Sequence, residues 1–243
     1  INIAHSIENS TNIYSNYFHF NYELKSKQIL KPSSLKLDYI VGNDNIDQKV
    51  NTVSVTAKKR WNYNIKLDGL EFRLFAGKSL TQNTNSKYNW RMSGQTGVYD
   101  YLFNNTFLGR TAYSPNFLSQ QLGDSHGGFK TYTNTGSSNN WLISLNTKLN
   151  LPKLPFGVFA DIAYYPYKEN NQGVIRNKVG SNFDFGLWIP IKKNLIELYV
   201  PLLYSENIQK EIDYNNISFL QRITFVIQFN SLNPLQLINS LKP

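Results

Sequence analysis

The residues that could do chemistry in this chain are charges set inside apolar stretches. In FGVFADIAYY, Phe156 to Tyr165, Asp161 sits at the centre of an otherwise apolar run. A carboxylate in such a place costs several kcal/mol unless it is paired or wet. The same pattern recurs at Glu23, Lys36, Asp38, Lys58, Arg60, Glu71, Arg73, Arg91, Asp184, Glu197 and Arg222. Two carboxylates on neighbouring strands, Asp161 and Asp184, could do acid–base work. A structural ion-pair network would place them together equally well, and mixed signs at this density favour pairing over catalysis. A charged eyelet that selects solutes is the functional alternative.

Other chemistry finds little material. The 243 residues contain no cysteine, which excludes disulfides and thiolate metal sites. The three histidines, His5, His19 and His126, form no His-Glu-x-x-His or other ligand spacing. GQTG, Gly94 to Gly97, is too short for a phosphate loop and reads as a tight turn. Ser125 next to His126 in GDSHGG reads as an accident of a loop. The net charge of +9 is spread singly along the chain, and its longest basic run is Lys58-Lys59-Arg60. No groove-reading helix accompanies it, so nucleic acid is not an expected partner.

The elements that must position these charges are strands. Nearly every segment alternates with period two. In NYFHFNYEL, Phe18, Phe20, Tyr22 and Leu24 share one face and His19, Asn21 and Glu23 the other. Phe183, Phe185, Leu187 and Ile189 likewise oppose Asp184, Gly186 and Trp188, and Ile196, Leu198, Val200 and Leu202 oppose Glu197, Tyr199 and Pro201. There is no run of about 18 apolar residues to cross a membrane as a helix, but alternating strands can cross one as a barrel.

Short turns near Lys66–Gly69, Leu151–Pro155 and Ile191–Asn194 alternate with long polar connections at Ser79–Lys87, Pro166–Gly180 and Ser205–Asn216. Outer-membrane barrels sort their loops in this way. The fold expected is therefore all-β, an antiparallel transmembrane β-barrel of about 12 strands. The strands fall near 1–8, 16–26, 33–42, 49–63, 69–78, 86–94, 98–108, 140–150, 156–166, 182–190, 195–205 and 217–229. The barrel domain covers 1–230, with a periplasmic tail at 231–243 that could form a helical turn. Residues 108–139 lack a strand pattern and read as the main extracellular loop, either folded into the barrel mouth or a polar loop without a role. The chain starts at Ile1, as a mature form, a processed piece or a fragment would.

Inside such a barrel, Glu71, Arg73, Arg91, Asp161, Asp184, Glu197 and Arg222 form the expected charge network, with Arg222 or Arg91 meeting Asp161. Trp61, Tyr63, Trp90, Trp141, Tyr164, Trp188 and Tyr204 fall near strand ends, where an aromatic girdle meets the lipid headgroups.

FRLFAGK, RMSGQTGVYDYLFNNTFLGR, LSQQLGDSHGGFK, SSNNWLISLNTKLNLPKLPFGVFADIAYY and IELYVPLLYSENI resemble the C-terminal part of membrane-associated zinc metallopeptidases of Bacteroidetes-type bacteria. The N-terminal region of those proteins is similar to the alanyl aminopeptidase (gluzincin) family. The peptidase signature has no match here, so no catalytic or zinc residue carries over. The resemblance implies a barrel that anchors a peptidase domain lying elsewhere, with zinc only in that domain. It also allows the strands here to be part of a larger barrel. The expectation is thus a bacterial outer-membrane anchor or complex subunit, in contact with lipid and with other subunits or an upstream domain. A solute pore with a charged lumen and a soluble β-sandwich that binds glycans or protein are the alternatives.

Overall fold

A computed structural model of the chain describes residues 2–8, 11–26, 28, 30–44, 49–63, 69–81, 89–93, 126–152, 154–171, 174–192 and 196–227. Ten strands form one antiparallel sheet in chain order: β1 (Asn2–Glu8), β2 (Thr11–Ser26), β3 (Ser33–Asp44), β4 (Lys49–Asn62), β5 (Gly69–Ser79), β6 (Trp141–Asn150), β7 (Gly157–Asn171), β8 (Val174–Lys192), β9 (Ile196–Tyr204) and β10 (Thr224–Ile227). Two short helices, α1 (Glu206–Tyr214) and α2 (Phe219–Arg222), join β9 to β10. Among the described residues β1 and β10 do not pair with each other, so the described sheet is open.

The period-two pattern sets the two faces. Leu24, Leu35, Ala57, Leu74, Leu145, Ile162 and Phe183 pair in register across seven strands, an unbroken apolar row. One residue along, Ser34, Lys58, Arg73, Asn146, Asp161 and Asp184 make an unbroken polar row on the opposite face. The apolar row is the solvent-facing one: Leu24 is 50 %, Leu74 48 % and Phe183 46 % exposed. The polar row is buried from Arg73 to Asp184.

The sheet curls with its polar face inward. On a flat sheet β5 and β9 would stand four strand spacings apart, about 19 Å. Here Lys148 Nζ on β6 reaches Glu71 of β5 at 3.2 Å and Glu197 of β9 at 3.3 Å. Side chains stand roughly perpendicular to their sheet, so only a tight concave curl brings all three together.

The structure corrects several expectations. Ten strands of the expected antiparallel sheet are among the described residues. Of the strand expected at 86–94 only 89–93 are described, and they form no strand: β5 pairs directly with β6, and Trp90 makes only an isolated bridge with Ser138 before a turn. The expected strand 98–108, the loop portion 108–125 and the tail 231–243 lie outside the described residues. Pro166–Gly180 is no loop, because β7 and β8 continue as a hairpin to the Asn171–Val174 pair. Its polar residues satisfy their backbone in the ladder, and Lys178 Nζ meets Glu169 across it at 2.6 Å. Ser205–Asn216 holds α1, and the expected strand 217–229 begins with α2 instead. α1 forms because Ile208 and Ile212, one turn apart, bury themselves while the remaining side chains stay largely outside.

Candidate functional site

The concave face is filled by two chain segments, 89–93 and 126–140, which form a plug. Trp90, Met92 and Phe129 supply its apolar centre. They pack on Phe75, Leu142, Ala163 and Tyr165 from the strands and on Ile208, Ile212 and Ile217 from the α1 region. The backbone is paired as well: Trp90 and Ser138 exchange bonds of 2.7 and 2.9 Å, and the Phe129 N–H donates to Met92 O at 2.9 Å. Trp90 Nε1 donates to Ser79 Oγ of β5 at 2.9 Å. Gly128 (φ +66) and Gly136 (φ +76) bend this segment in the left-handed region that favours glycine. A Cβ at Gly128 would stand 2.8 Å from Arg73 Nη1, so the plug lies close against the wall there.

Strand charges hold the plug by its backbone. The Lys130 N–H donates to Asp161 Oδ2 at 3.1 Å, and the Thr131 N–H donates to Asp184 Oδ2 at 2.7 Å. Lys130 Nζ stands 3.5 Å from Asp161 Oδ2, with side-chain exposures of 7 % and 0 %. It also donates to Gly128 O and lies 5.4 Å from the Tyr199 ring centre. Asn146 Nδ2 donates to Asp161 Oδ1 at 3.0 Å and to Gly127 O at 2.8 Å, while its Oδ1 accepts from Arg73 Nη1 at 2.8 Å. From β10, Thr224 Oγ1 donates to Lys130 O at 2.8 Å. Five strands therefore grip the plug through one connected polar chain.

A second latch comes from α1. The Glu211 carboxylate accepts from the Asn134 N–H at 2.9 Å, the Thr135 N–H at 3.2 Å, Thr135 Oγ1 at 2.7 Å and Thr133 Oγ1. At the far end of the concave face, beside the short turns, Lys148 joins Glu71 and Glu197 and lies 5.3 Å from the Trp188 ring centre. Arg60 Nη1 approaches Glu71 at 3.7 Å, and Tyr199 Oη donates to Glu197. Phe159, Trp188 and Tyr199 form the apolar floor under these charges.

Of the expected network, Glu71, Arg73, Asp161, Asp184 and Glu197 face the concave side. Arg91 lies in the plug, where its carbonyl accepts from the Gly127 N–H at 3.0 Å. Arg222 is on α2, where its Nε donates to Ile217 O at 3.2 Å. The expectation that Arg222 or Arg91 meets Asp161 is corrected: Lys130 and Asn146 do. Asn146 and Lys148 were missed, although alternation with Leu145 and Leu149 puts both on the polar face of β6. Lys130 and Glu211 had no periodic signal, because neither lies in a strand.

Of the expected girdle, Trp61, Tyr63 and Tyr164 are exposed, and Trp141 is half-buried. Trp90 and Trp188 are buried on the concave side, which corrects their assignment to the girdle. Trp188 sits on the polar face of β8 by simple alternation, and Trp90 belongs to the plug. Tyr204 packs against the plug core and donates to Pro201 O at 3.0 Å, so it too stands inside.

His126 lies in the plug between the Phe75 and Trp90 rings, 5.9 and 5.2 Å from their centres. The residue is half-buried, yet both ring nitrogens are shielded from solvent. Burial, with Arg73 and Arg91 nearby, pushes its pKa down to about 3. Among the described residues no three His, Asp or Glu side chains converge as metal ligands. No described helix is long and apolar enough to cross a membrane. No protein-family model, curated protein or solved structure matches the chain.

Proposed function

We propose that this chain is an outer-membrane β-barrel whose lumen is closed by its own inward-folded loop, and that it works as a membrane anchor or scaffold. The observation that carries this reading is the pair of adjacent register rows: an apolar one whose Leu24, Leu35, Leu74, Leu145 and Phe183 are exposed, and a polar one that is buried from Arg73 to Asp184. A sheet folding in water puts its apolar row inside. The inverse suits a sheet whose outer face meets lipid and whose inner face meets a polar lumen. An exposed apolar band over seven strands exceeds the patches that soluble monomers present.

The anchor reading is preferred over a solute pore because the inner charges are spent on the plug and on one another. Asp161 and Asp184 accept from plug backbone, and Lys148 is shared by Glu71 and Glu197. An eyelet needs charges open to passing solutes. Closure of the barrel between β1 and β10 is part of the proposal. What the anchor carries rests on the resemblance alone, which suggests a zinc-peptidase domain or a partner subunit.

The test is expression of the full chain in a Gram-negative host, followed by fractionation and electrophoresis with and without boiling. Recovery in the outer-membrane fraction, a need for detergent and a heat-dependent mobility shift are expected. Free solubility in buffer would overturn the membrane reading. Steady conductance in planar bilayers would overturn the closed lumen and favour the pore.

A further inference from the structure

The outer apolar row has a gap in it. Leu24, Leu35, Ala57 and Leu74 are successive register partners on β2 to β5, and Ala57 is the small side chain among three leucines. Between Leu35 and Leu74 it floors a groove of about 560 Å³. That volume falls within the range of small-molecule sites, on the order of 300–1,000 Å³.

Two positions along each strand the same face changes chemistry. Alternation puts Ser26, Ser33, Lys59 and Phe72 on the outer side with Ala57, and these four are successive register partners as well. All of them line the groove. One half of the groove is therefore apolar, and beside it stand two hydroxyls and an ammonium. Lys25 and Lys58 also border it, but alternation turns both to the inner face, where Lys25 Nζ meets Glu23 at 2.8 Å. Among the described residues no carboxylate pairs with Lys59. Hydroxyl and ammonium groups donate to phosphate oxygens, and a charged acceptor makes those bonds stronger. The ligand that matches both halves is an amphiphile with an anionic head.

The depth of the groove fits that ligand. Lys59 Nζ lies 5.0 Å from the ring centre of Trp61, which is exposed on the same face and packs edge-on against Phe72 at 5.3 Å. On the barrel reading, exposed rings near a strand end mark the level of the lipid headgroups. A lysine stem that lies along apolar surface and carries its charge to that level is the arrangement found at membrane interfaces. β4 ends here at Asn62, at its short-turn end. This end of the barrel is the periplasmic one, so the leaflet it meets is made of phospholipid.

We propose that the groove holds one anionic glycerophospholipid, with its phosphate against Lys59, Ser26 and Ser33 and an acyl chain along Ala57 between Leu35 and Leu74. The site rests on the barrel reading, which sets this face in lipid.

Trp61 supplies the readout. The full chain carries Trp141→Phe, because Trp141 also lies on the outer face, whereas Trp90 and Trp188 are buried on the inner one. It is inserted into phosphatidylcholine vesicles that contain a minor share of brominated phosphatidylglycerol or, separately, brominated phosphatidylethanolamine. Phosphatidylglycerol is expected to quench Trp61 half-maximally at about one fifth of the mole fraction that phosphatidylethanolamine needs. Lys59→Gln should abolish that preference. Ala57→Leu, which fills the groove and keeps every charge, should bring it below about twofold. Equal quenching by the two lipids would overturn the proposal. So would a preference that Ala57→Leu leaves intact, since a lysine on a plain surface attracts anionic lipid in that way. A dimer that shields Trp61 from both lipids would assign the groove to a second copy of the chain and overturn it too. The heat-dependent mobility shift reads the barrel separately. Its loss would overturn the barrel reading and this site with it, whereas an intact shift without headgroup preference would overturn the site alone.

Discussion

Replacing Lys130 by Met removes the ammonium that stands 3.5 Å from Asp161 while keeping a similar stem and both backbone donors. Asp161 has no exposed side-chain surface and Asp184 is 1 % exposed as a residue, so both stay buried after the change. Removing one partner of a buried pair costs about 3–5 kcal/mol, because the other charge is left uncompensated. The Lys130 and Thr131 N–H groups and Asn146 still reach the two carboxylates. That places the expected loss at the lower end, about 3 kcal/mol. Lys130→Met with Asp161→Asn removes the stranded charge, and should recover about 1–2 kcal/mol or more of it as a coupling energy. Urea titration of the vesicle-inserted protein measures both. On the barrel reading a loosened plug should also give transient conductance in planar bilayers, where the parent is expected to give none. A single variant within about 0.5 kcal/mol of the parent, typical of an unremarkable surface site, would refute the latch. So would a double variant no better than the single.

Other outcomes follow from the same geometry. Leu74→Arg and Phe183→Arg, on the exposed apolar row, should each cost about 2–4 kcal/mol in a bilayer. In a water-facing sheet the same changes would fall within about 0.5 kcal/mol, so urea titration of vesicle-inserted variants discriminates. Glu211→Gln keeps the shape of the α1 latch but loses its charge, and a loss of about 1–2 kcal/mol is expected, read as faster proteolysis near Asn134. His126 gives a pH dependence. Its folded pKa of about 3 lies below the ordinary value of 6.5, so the unfolded chain binds the proton first. Stability should be complete above pH 6.5 and fall as pH drops from there toward 3. In His126→Asn, whose side chain tolerates the positive φ of 45 at this site, that contribution to the slope should vanish.

The faces of the strands were legible because alternation is a local property. Asp161, Asp184, Glu197, Glu71 and Arg73 each sit between apolar neighbours, and period two alone places them on one side. The plug was not legible, because its residues obey no period. Lys130 meets Asp161 through 31 positions of intervening chain, and Glu211 meets Thr133 across 78. Loop polarity also misled: Pro166–Gly180 carries the lysines, asparagines and glutamine of a loop, yet it is a hairpin. Once a strand leaves the apolar band its faces need no contrast, so period two loses its hydrophobic signal while the ladder continues.

The same reasoning explains why the plug grips one part of the sheet. Across β5 to β8 the inner row reads Arg73, Asn146, Asp161, Asp184, a cation and an amide facing two carboxylates. Two carboxylates as direct cross-strand partners repel, and beyond the bond from Asn146 they take their donors from outside the sheet. On β2 and β3 Asp38 already finds its partners within the wall: it takes His19 at 2.7 Å and Lys36 at 3.0 Å. The wall that cannot balance itself is the wall the loop folds against. A strand pair with like charges opposed on its inner face is therefore a sequence-level pointer to a plug, even where the plug has no pattern of its own. The test is Asp184→Asn, which relieves the wall and weakens the Thr131 bond together. If repulsion selects the plug, this variant should loosen residues 126–140 in hydrogen exchange without lowering the stability of the strands. Equal loosening of β7 and β8 would show that the carboxylates serve the wall first.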